Sequence, residues 1–404
     1  MTAEELASRL LAEGRVAVCV GCGGVGKTTV AAALALEAAR RGRRALVLTI
    51  DPARRLADAL GVEALGNQPQ ALSREALTAL GVPPEGSLSA LMLDMKRTFD
   101  ELVERFAEGE ENRRRILANP IYRHVSEALA GSVEFAAMEK VYEVWESGEH
   151  DVVVVDTPPA QHALDFLDAP ARLLEFLESR LVQMLIHPAF AAGRFGFRVF
   201  QHGTRRILQL IERVTGISFL EDVSEFLLAF EAMSSGFRQR AARVRGLLLS
   251  PQSSFVLVTG PGRDSVRQAV EFRERLETYG VSLAGVLVNR VRTWPGPELP
   301  ASVAPDAAPD ARDVEALAGQ LAAVVPPEVS AADAARAAVE AARGYAALVR
   351  RDERATRELR EETLRGGGFW GLIPELPEDV HDLEGLARVT RAVFGGETPG
   401  GRTS

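Results

Sequence analysis

Two kinds of apolar patterning alternate along the chain. Short runs of consecutive aliphatic and β-branched residues occur at Arg15 to Val20, Ala45 to Ile50, Val152 to Val155, Phe255 to Thr259 and Leu283 to Val288. A run that is apolar at every position, rather than at every second, marks a strand covered on both faces, as in a parallel sheet. Between runs the period lengthens to that of a helix. Thr29 to Arg40 reads as a helix of small apolar residues that stops near Gly42. A second helix joins the last two runs, with Asp264 read as its N-cap and Gly280 as its stop. The recurrence of strand, helix and strand predicts an α/β fold with a doubly wound, mainly parallel sheet and a helical subdomain inserted between strands. Its ligand is expected at the carboxyl ends of the strands.

The remaining segments read as helical. Thr98 to Glu149 is amphipathic and interrupted near Asn119-Pro120. Ala171 to Ile186 aligns Leu174, Leu177, Leu181 and Leu185, and Leu220 to Met233 aligns Val223, Phe226, Leu227, Phe230 and Met233. Between these two stripes, His187 to Gly203 sets Phe190, Phe195, Phe197 and Phe200 among glycines, read as a loop buried under its neighbours in preference to an exposed client surface. Trp294 to Arg312 has the composition of a linker, and Ser330 to Glu362 reads as one long helix with a solvated charged face. The expected organisation is a core over 1–96, a helical insertion over 97–149, core again over 150–170 and a helical subdomain over 171–250. Core follows over 251–293, then a linker over 294–312, helix over 313–365, a closing core segment over 366–394 and a disordered tail over 395–404.

The chemistry enters at the end of the first run, where Gly21-Cys22-Gly23-Gly24-Val25-Gly26-Lys27-Thr28-Thr29 forms a complete phosphate-binding loop. Glycines there let successive backbone N–H groups approach a phosphate, Lys27 adds a point charge and Thr28 offers a hydroxyl to Mg²⁺. The 47 basic residues include only three lysines, Lys27, Lys96 and Lys140. Arginine has replaced lysine nearly everywhere that charge alone suffices, whereas position 27 keeps the compact ammonium that fits beneath a phosphate. A net charge of −9 opposes a general nucleic-acid surface, and no apolar run approaches the length of a membrane span. The expectation is a soluble, cytoplasmic protein. Both cysteines, Cys19 and Cys22, fall in one C-x-x-C, and the six histidines show no paired ligand spacing, so neither a cysteine-bound metal nor a disulfide within the chain is expected.

Two further acidic motifs close strands: Asp51-Pro52-Ala53 after the second and Asp156-Thr157-Pro158-Pro159 after the third. Together with the glycine loop, with Val288-Asn289-Arg290 and with Ile373-Pro374-Glu375-Leu376-Pro377 near the carboxyl end, they resemble the ArsA-type ATPases. That family comprises arsenite-pump subunits, the ATPase that delivers tail-anchored membrane proteins, and bacterial anion-transporting ATPases; this chain looks most like the bacterial branch. The resemblance implies ATP and Mg²⁺ as cofactors. Gly23, Gly24, Val25, Gly26, Lys27, Thr28 and Thr29 would hold the phosphates, with Thr28 on the metal and Asp156 supporting it through water. Asp51 and Lys27 would act in catalysis, Asp51 by orienting the attacking water. Asn289 would read adenine and Pro374 would line the base pocket. Asp51 also admits a plainer role, as N-cap of the helix after Pro52.

The family's loop carries a lysine where this chain has Cys22, the residue that reaches the partner's nucleotide in the usual homodimer. The missing cation is expected from Lys96 or an arginine, or from a lysine-bearing paralogue in a heterodimer; failing both, the chain is a regulatory subunit that binds nucleotide without efficient hydrolysis. An exposed Cys22 beside phosphate-binding amides is expected to have a lowered pKa. The leading expectation is a dimeric, ATP-driven switch that binds or releases a hydrophobic protein client. A partition or positioning ATPase is a further alternative.

Overall fold

In a computed structural model of the chain, the described residues are 3–119 without 13, 52 and 108, residue 122, 132–158, residues 175 and 236, 239–296 without 282, and 311–395. The two leucine-striped segments, the Phe-rich stretch, most of the expected linker and the tail lie outside them. In chain order the elements are α1 (Ala3–Leu10), β1 (Arg15–Gly21), α2 (Lys27–Arg40), β2 (Arg44–Thr49), α3 (Arg55–Leu60), β3 (Gln70–Ala71) and α4 (Arg74–Ala79). Then come β4 (Ser87–Met92), α5 (Met95–Phe106), α6 (Glu110–Ala118), α7 (Ser132–Ser147), β5 (Val152–Asp156), β6 (Ser253–Thr259) and α8 (Arg263–Thr278). The last are β7 (Leu283–Val291), α9 (Ala311–Leu321), α10 (Ala331–Arg365), β8 (Phe369–Pro374) and α11 (Leu383–Phe394).

The described strands form one eight-stranded sheet in the order β3-β4-β2-β5-β1-β6-β7-β8. Every neighbouring pair is parallel except the short β3–β4 pair at one edge. The expected α/β class with a mainly parallel sheet is what the chain adopts. The order reverses at β1, which lies between β5 and β6, so a crevice opens at its carboxyl end. Register brings the loop and the acidic motifs together: Cys19 stands opposite Asp156, and Thr49 stands opposite Asp156 from the other side.

Both faces of the sheet are covered. One side buries Ala17, Cys19, Val47, Val154 and Val256 under α2 and α11. The other buries Val18, Leu48, Val155, Leu257 and Val288 with residues of α7 and α8. Helix α2 is itself sandwiched between the sheet and α11, and its Ala31, Ala32, Ala33, Ala35, Ala38 and Ala39 are fully buried. Alanines there let three layers approach closely, and α2 is thereby held rigidly behind the glycine loop that precedes it.

The helix expected to be capped by Asp264 begins two residues earlier, at Arg263, and Gly262 occupies the cap position. Asp264 is instead in the first turn, 3.0 Å from Arg267, where its charge still complements the positive end of the helix. Helix α10 keeps the expected Ser330 start, with the Ser330 side chain accepting from Asp333 N, and runs on to Arg365. Among the described residues no helix is long and apolar enough to cross a membrane.

Candidate functional site

The site begins where β1 runs out. A Cβ on Gly21 would strike the Val258 carbonyl of β6, so only glycine lets the chain leave the sheet there. Gly24 and Gly26 then turn with φ of 77° and 89°, in the region that side chains disfavour. Gly26 caps α2 without any side-chain bond, and the first turn of α2 carries no acidic residue. The free N–H groups of a helix start thus face the cleft, which suits an anion.

Lys27 is buried, and its Nζ donates to the Cys22 carbonyl at 2.8 Å, which folds the loop around the ammonium. Burial pushes the lysine pKa down, while the Asp156 carboxylate opposes that shift. Thr28 Oγ1 and Thr49 Oγ1 both donate to Asp156 Oδ2, at 2.7 and 2.8 Å. Asp156 is 1% exposed, and burial raises its pKa to about 6 against the two hydroxyl bonds. Its second oxygen, Oδ1, is buried and has no hydrogen-bond partner among the described residues.

That orphaned oxygen tests whether a metal fits. Mg²⁺ takes hard oxygen ligands and keeps several waters. A threonine hydroxyl beside a carboxylate that has a spare, desolvated oxygen is such a donor set, so Thr28 and Asp156 suit Mg²⁺.

Asp51 follows β2 and is held by a local turn. Its Oδ1 accepts from Ala53 N at 3.0 Å, and its own N–H donates to Thr49 Oγ1 at 3.3 Å. Helix α3 starts only at Arg55, with Arg54 in the cap position and no side-chain cap bond. The N-cap role is therefore not the one Asp51 plays. Its Oδ2 lies 3.6 Å from Arg55, which also lines the cleft. On the neighbouring strand, Thr157 Oγ1 donates to the Cys19 carbonyl at 2.7 Å and ties the segment after β5 to β1.

At the other end, Asn289 of β7 braces the glycine loop. Its Nδ2 donates to the Val25 carbonyl at 2.9 Å, and its Oδ1 accepts from Arg290 N at 2.9 Å. The cleft has a volume of about 590 Å³ and is lined by Gly23, Gly24, Gly26, Lys27, Thr28, Thr29, Asp51, Asn289 and Pro374. Val25 is packed into the core, and Asp156 lies beneath Thr28, so neither lines the cleft itself. Arg55, Asp58, Thr157, Arg290, Glu375, Leu376, the residues from Glu378 to His381, and Val389 complete the wall. Sequence reading missed Thr49 and Arg55. Thr49 is positioned by strand register, and Arg55 was hidden by being one more arginine in an arginine-rich chain.

Cys22 departs from expectation. It is buried in the core under the loop, its Sγ 3.9 Å from the Ser265 carbonyl. Burial raises its pKa and outweighs the opposing pull of Lys27. Cys19 is fully buried and its pKa is raised for the same reason. At both sulfurs desolvation outweighs the pull of Lys27, which overturns the expected lowering at Cys22. The remaining lysines are engaged elsewhere: Lys140 is buried between Glu101 and Glu143 at 3.1 and 3.3 Å, and Lys96 lies 2.7 Å from Asp100. Neither lines the cleft, and the arginines that line it among the described residues are Arg55 and Arg290.

The family model described as "Anion-transporting ATPase" matches residues 14–295. Among curated proteins, "ATPase GET3" of Malassezia globosa is 34% identical over 155 residues, covering 38% of this chain and 42% of that protein. "Putative arsenical pump-driving ATPase" of Halobacterium salinarum is 32% identical over 178 residues, covering 44% of this chain and 26% of that protein. "Putative arsenical pump-driving ATPase 1" of Aquifex aeolicus is 24% identical over 288 residues, covering 69% and 63%. The chain thus aligns with less than half of the length of the first two. With the match spanning both the glycine loop and Asn289, the chain belongs to the anion-transporting ATPase family.

Proposed function

We propose that this chain is a Mg²⁺-dependent ATPase that works as a nucleotide-driven dimeric switch and binds or releases a hydrophobic protein client. The observation that carries the reading is the Asp156 carboxylate, desolvated, held by Thr28 and Thr49 on one oxygen and left with a spare oxygen on the other, directly behind an open helix start. That arrangement is costly for a protein that binds nothing there and suits one that binds a metal–polyphosphate.

In this reading the amides from Gly23 to Thr29 and the Lys27 ammonium bind the phosphates, while Asn289 and Pro374 flank the base. Bound Mg²⁺, held by Thr28 and through water by Asp156, supplies charge neutralisation. Asp51 accepts a hydrogen bond from the attacking water and orients it. The water oxygen bonds to the γ-phosphorus, and the bond to the β–γ bridging oxygen breaks with its electron pair left on ADP. One water proton leaves through Asp51 to solvent and the other stays on inorganic phosphate. Phosphoryl transfer needs this positioning more than covalent catalysis.

The relatives' printed names, an ATPase and arsenical pump-driving ATPases, support the nucleotide chemistry. In this reading the leucine-striped segments at 171–186 and 220–233 carry the client side. The test is phosphate release with Mg²⁺ by the wild type and by Asp51→Asn. Turnover in the wild type that falls by about 100-fold or more in the variant supports the reading. Tight ATP binding with no turnover above the variant overturns the enzymatic part.

One observation favours a second reading, a regulatory subunit without hydrolysis of its own: Cys22 is neutral and turned into the core. It requires that the wild type bind ATP without turnover and that a lysine-bearing paralogue restore it. Mass measurement by size exclusion with and without ATP separates self-pairing from pairing with another subunit.

A further inference from the structure

Phosphoryl transfer concentrates negative charge on the transferred oxygens, and one buried ammonium at Lys27 leaves part of that charge to be met by another cation. Of the arginines lining the cleft, Arg290 lies 3.2 Å from Asp379, next to Asn289 and Pro374 at the base end. Arg55 is at the opposite, phosphate end. A continuous chain of contacts places it there: Thr28 bonds Asp156, Asp156 is shared with Thr49, Thr49 bonds the Asp51 backbone, and Asp51 lies 3.6 Å from Arg55. The neighbouring Arg54 is turned away, donating to the Glu63 carbonyl.

The tie between Arg55 and Asp51 is easily exchanged. Their side chains are 67% and 32% exposed, and an exposed pair at i,i+4 with this separation is weak. A guanidinium presents a planar fork that matches two phosphoryl oxygens, a better partner than one oxygen of Asp51 at 3.6 Å. Moving to phosphate would also release Asp51 Oδ2 to accept from the attacking water.

We propose that Arg55 is a catalytic residue that exchanges Asp51 for the γ-phosphoryl oxygens when nucleotide binds, and so supplies from within the chain the cation that Cys22 does not. The proposal rests on the ATP-site reading above. It adds no reactant to the hydrolysis: the same bonds form and break, and Arg55 keeps its proton throughout.

The experiment uses the full chain with Mg²⁺ and measures affinity for ADP, affinity for ADP with aluminium fluoride as a mimic of the transferring phosphoryl group, and single-turnover phosphate release. Arg55→Ala is expected to bind Mg-ADP within about twofold of the wild type while losing about 100-fold or more in both aluminium-fluoride affinity and turnover. Arg55→Lys is expected to recover part of both losses. Equal aluminium-fluoride affinity in wild type and Arg55→Ala overturns the proposal, and so does a parallel loss for ADP and its aluminium-fluoride complex, which marks a structural role. Arg55→Gln, which keeps the stem and its packing, replaces Arg55→Ala if the latter does not fold. Wild-type protein that binds no Mg-ADP fails the ATP-site reading and the proposal together; wild type that distinguishes the two ligands while Arg55→Ala does so equally fails the proposal alone.

Discussion

Gly26 answers to two constraints at once. Its φ of 89° is one that side chains resist, and a Cβ there would run into Asn289 Nδ2, the group that braces Val25. Gly26→Ala is therefore expected to destabilise the fold by about 1–3 kcal/mol and to weaken nucleotide affinity further by displacing Asn289. Denaturant unfolding and nucleotide titration of the variant check both. Lys27, Thr28, Asp51, Asp156 and Asn289 were legible in the sequence because each belongs to a short motif with fixed spacing. Thr49 and the brace from Asn289 to Val25 were not, since their roles exist only once strands β2, β5, β1 and β7 are in register. Cys22 was misread because the loop's chemistry suggested exposure, whereas α8 packs against that side of the loop and buries the sulfur.

At the scale of elements, runs of β-branched residues made β1, β2, β5, β6 and β7 legible. β4 reads Ser-Leu-Ser-Ala-Leu-Met, with no β-branched residue, and β8 contains Gly371 and Pro374, so tertiary pairing rather than local preference makes them strands. Helices α5 and α7 meet through a buried charge cluster that periodicity alone does not reveal. Glu139 of α7 is fully buried, 2.6 Å from Arg240 in the helical residues 239–248 and 3.5 Å from Arg105 of α5. Glu143 also borders it, and Arg240 lies 4.2 Å over the Tyr142 ring and 2.6 Å from Glu146. Burial raises the Glu139 pKa to about 7 against the pull of Arg240 and Arg105. A raised acid binds its proton more tightly in the folded state. Its contribution to stability is thus greatest below the ordinary glutamate value of 4.5 and is lost as pH rises through about 7. Glu139→Gln is expected to flatten the decline in melting temperature across that window; an unchanged pH profile contradicts it. Arg240→Met, which strands the buried carboxylate, is expected to cost about 3–5 kcal/mol near neutral pH.

Across the whole molecule, an ionic path among the described residues joins the long helix α10 to the cleft. Asp352 is 1% exposed and accepts from Arg292 Nη1 at 3.2 Å, and Arg292 Nε lies 3.4 Å from Glu375 on the cleft wall. Asp352→Ala is expected to cost about 1–3 kcal/mol in unfolding free energy and to weaken nucleotide binding several-fold by loosening the wall from Glu375 to His381. Arg292 and Asp352 lie 60 residues apart in sequence, which is why no local pattern announced the link. The α/β class, by contrast, was legible from the five unbroken apolar runs of β1, β2, β5, β6 and β7, because a sheet covered on both faces writes its central strands that way.

In the proposed reading the carboxyl end of β1 binds a Mg-nucleotide through Lys27 and the Thr28–Asp156 pair. Calorimetric titration of the full chain with ATP, with and without Mg²⁺, checks this. The expected result is saturable binding of one nucleotide per chain that strengthens with Mg²⁺ and weakens by about 100-fold or more in Lys27→Ala. Absence of saturable binding, or equal binding by Lys27→Ala, would contradict it.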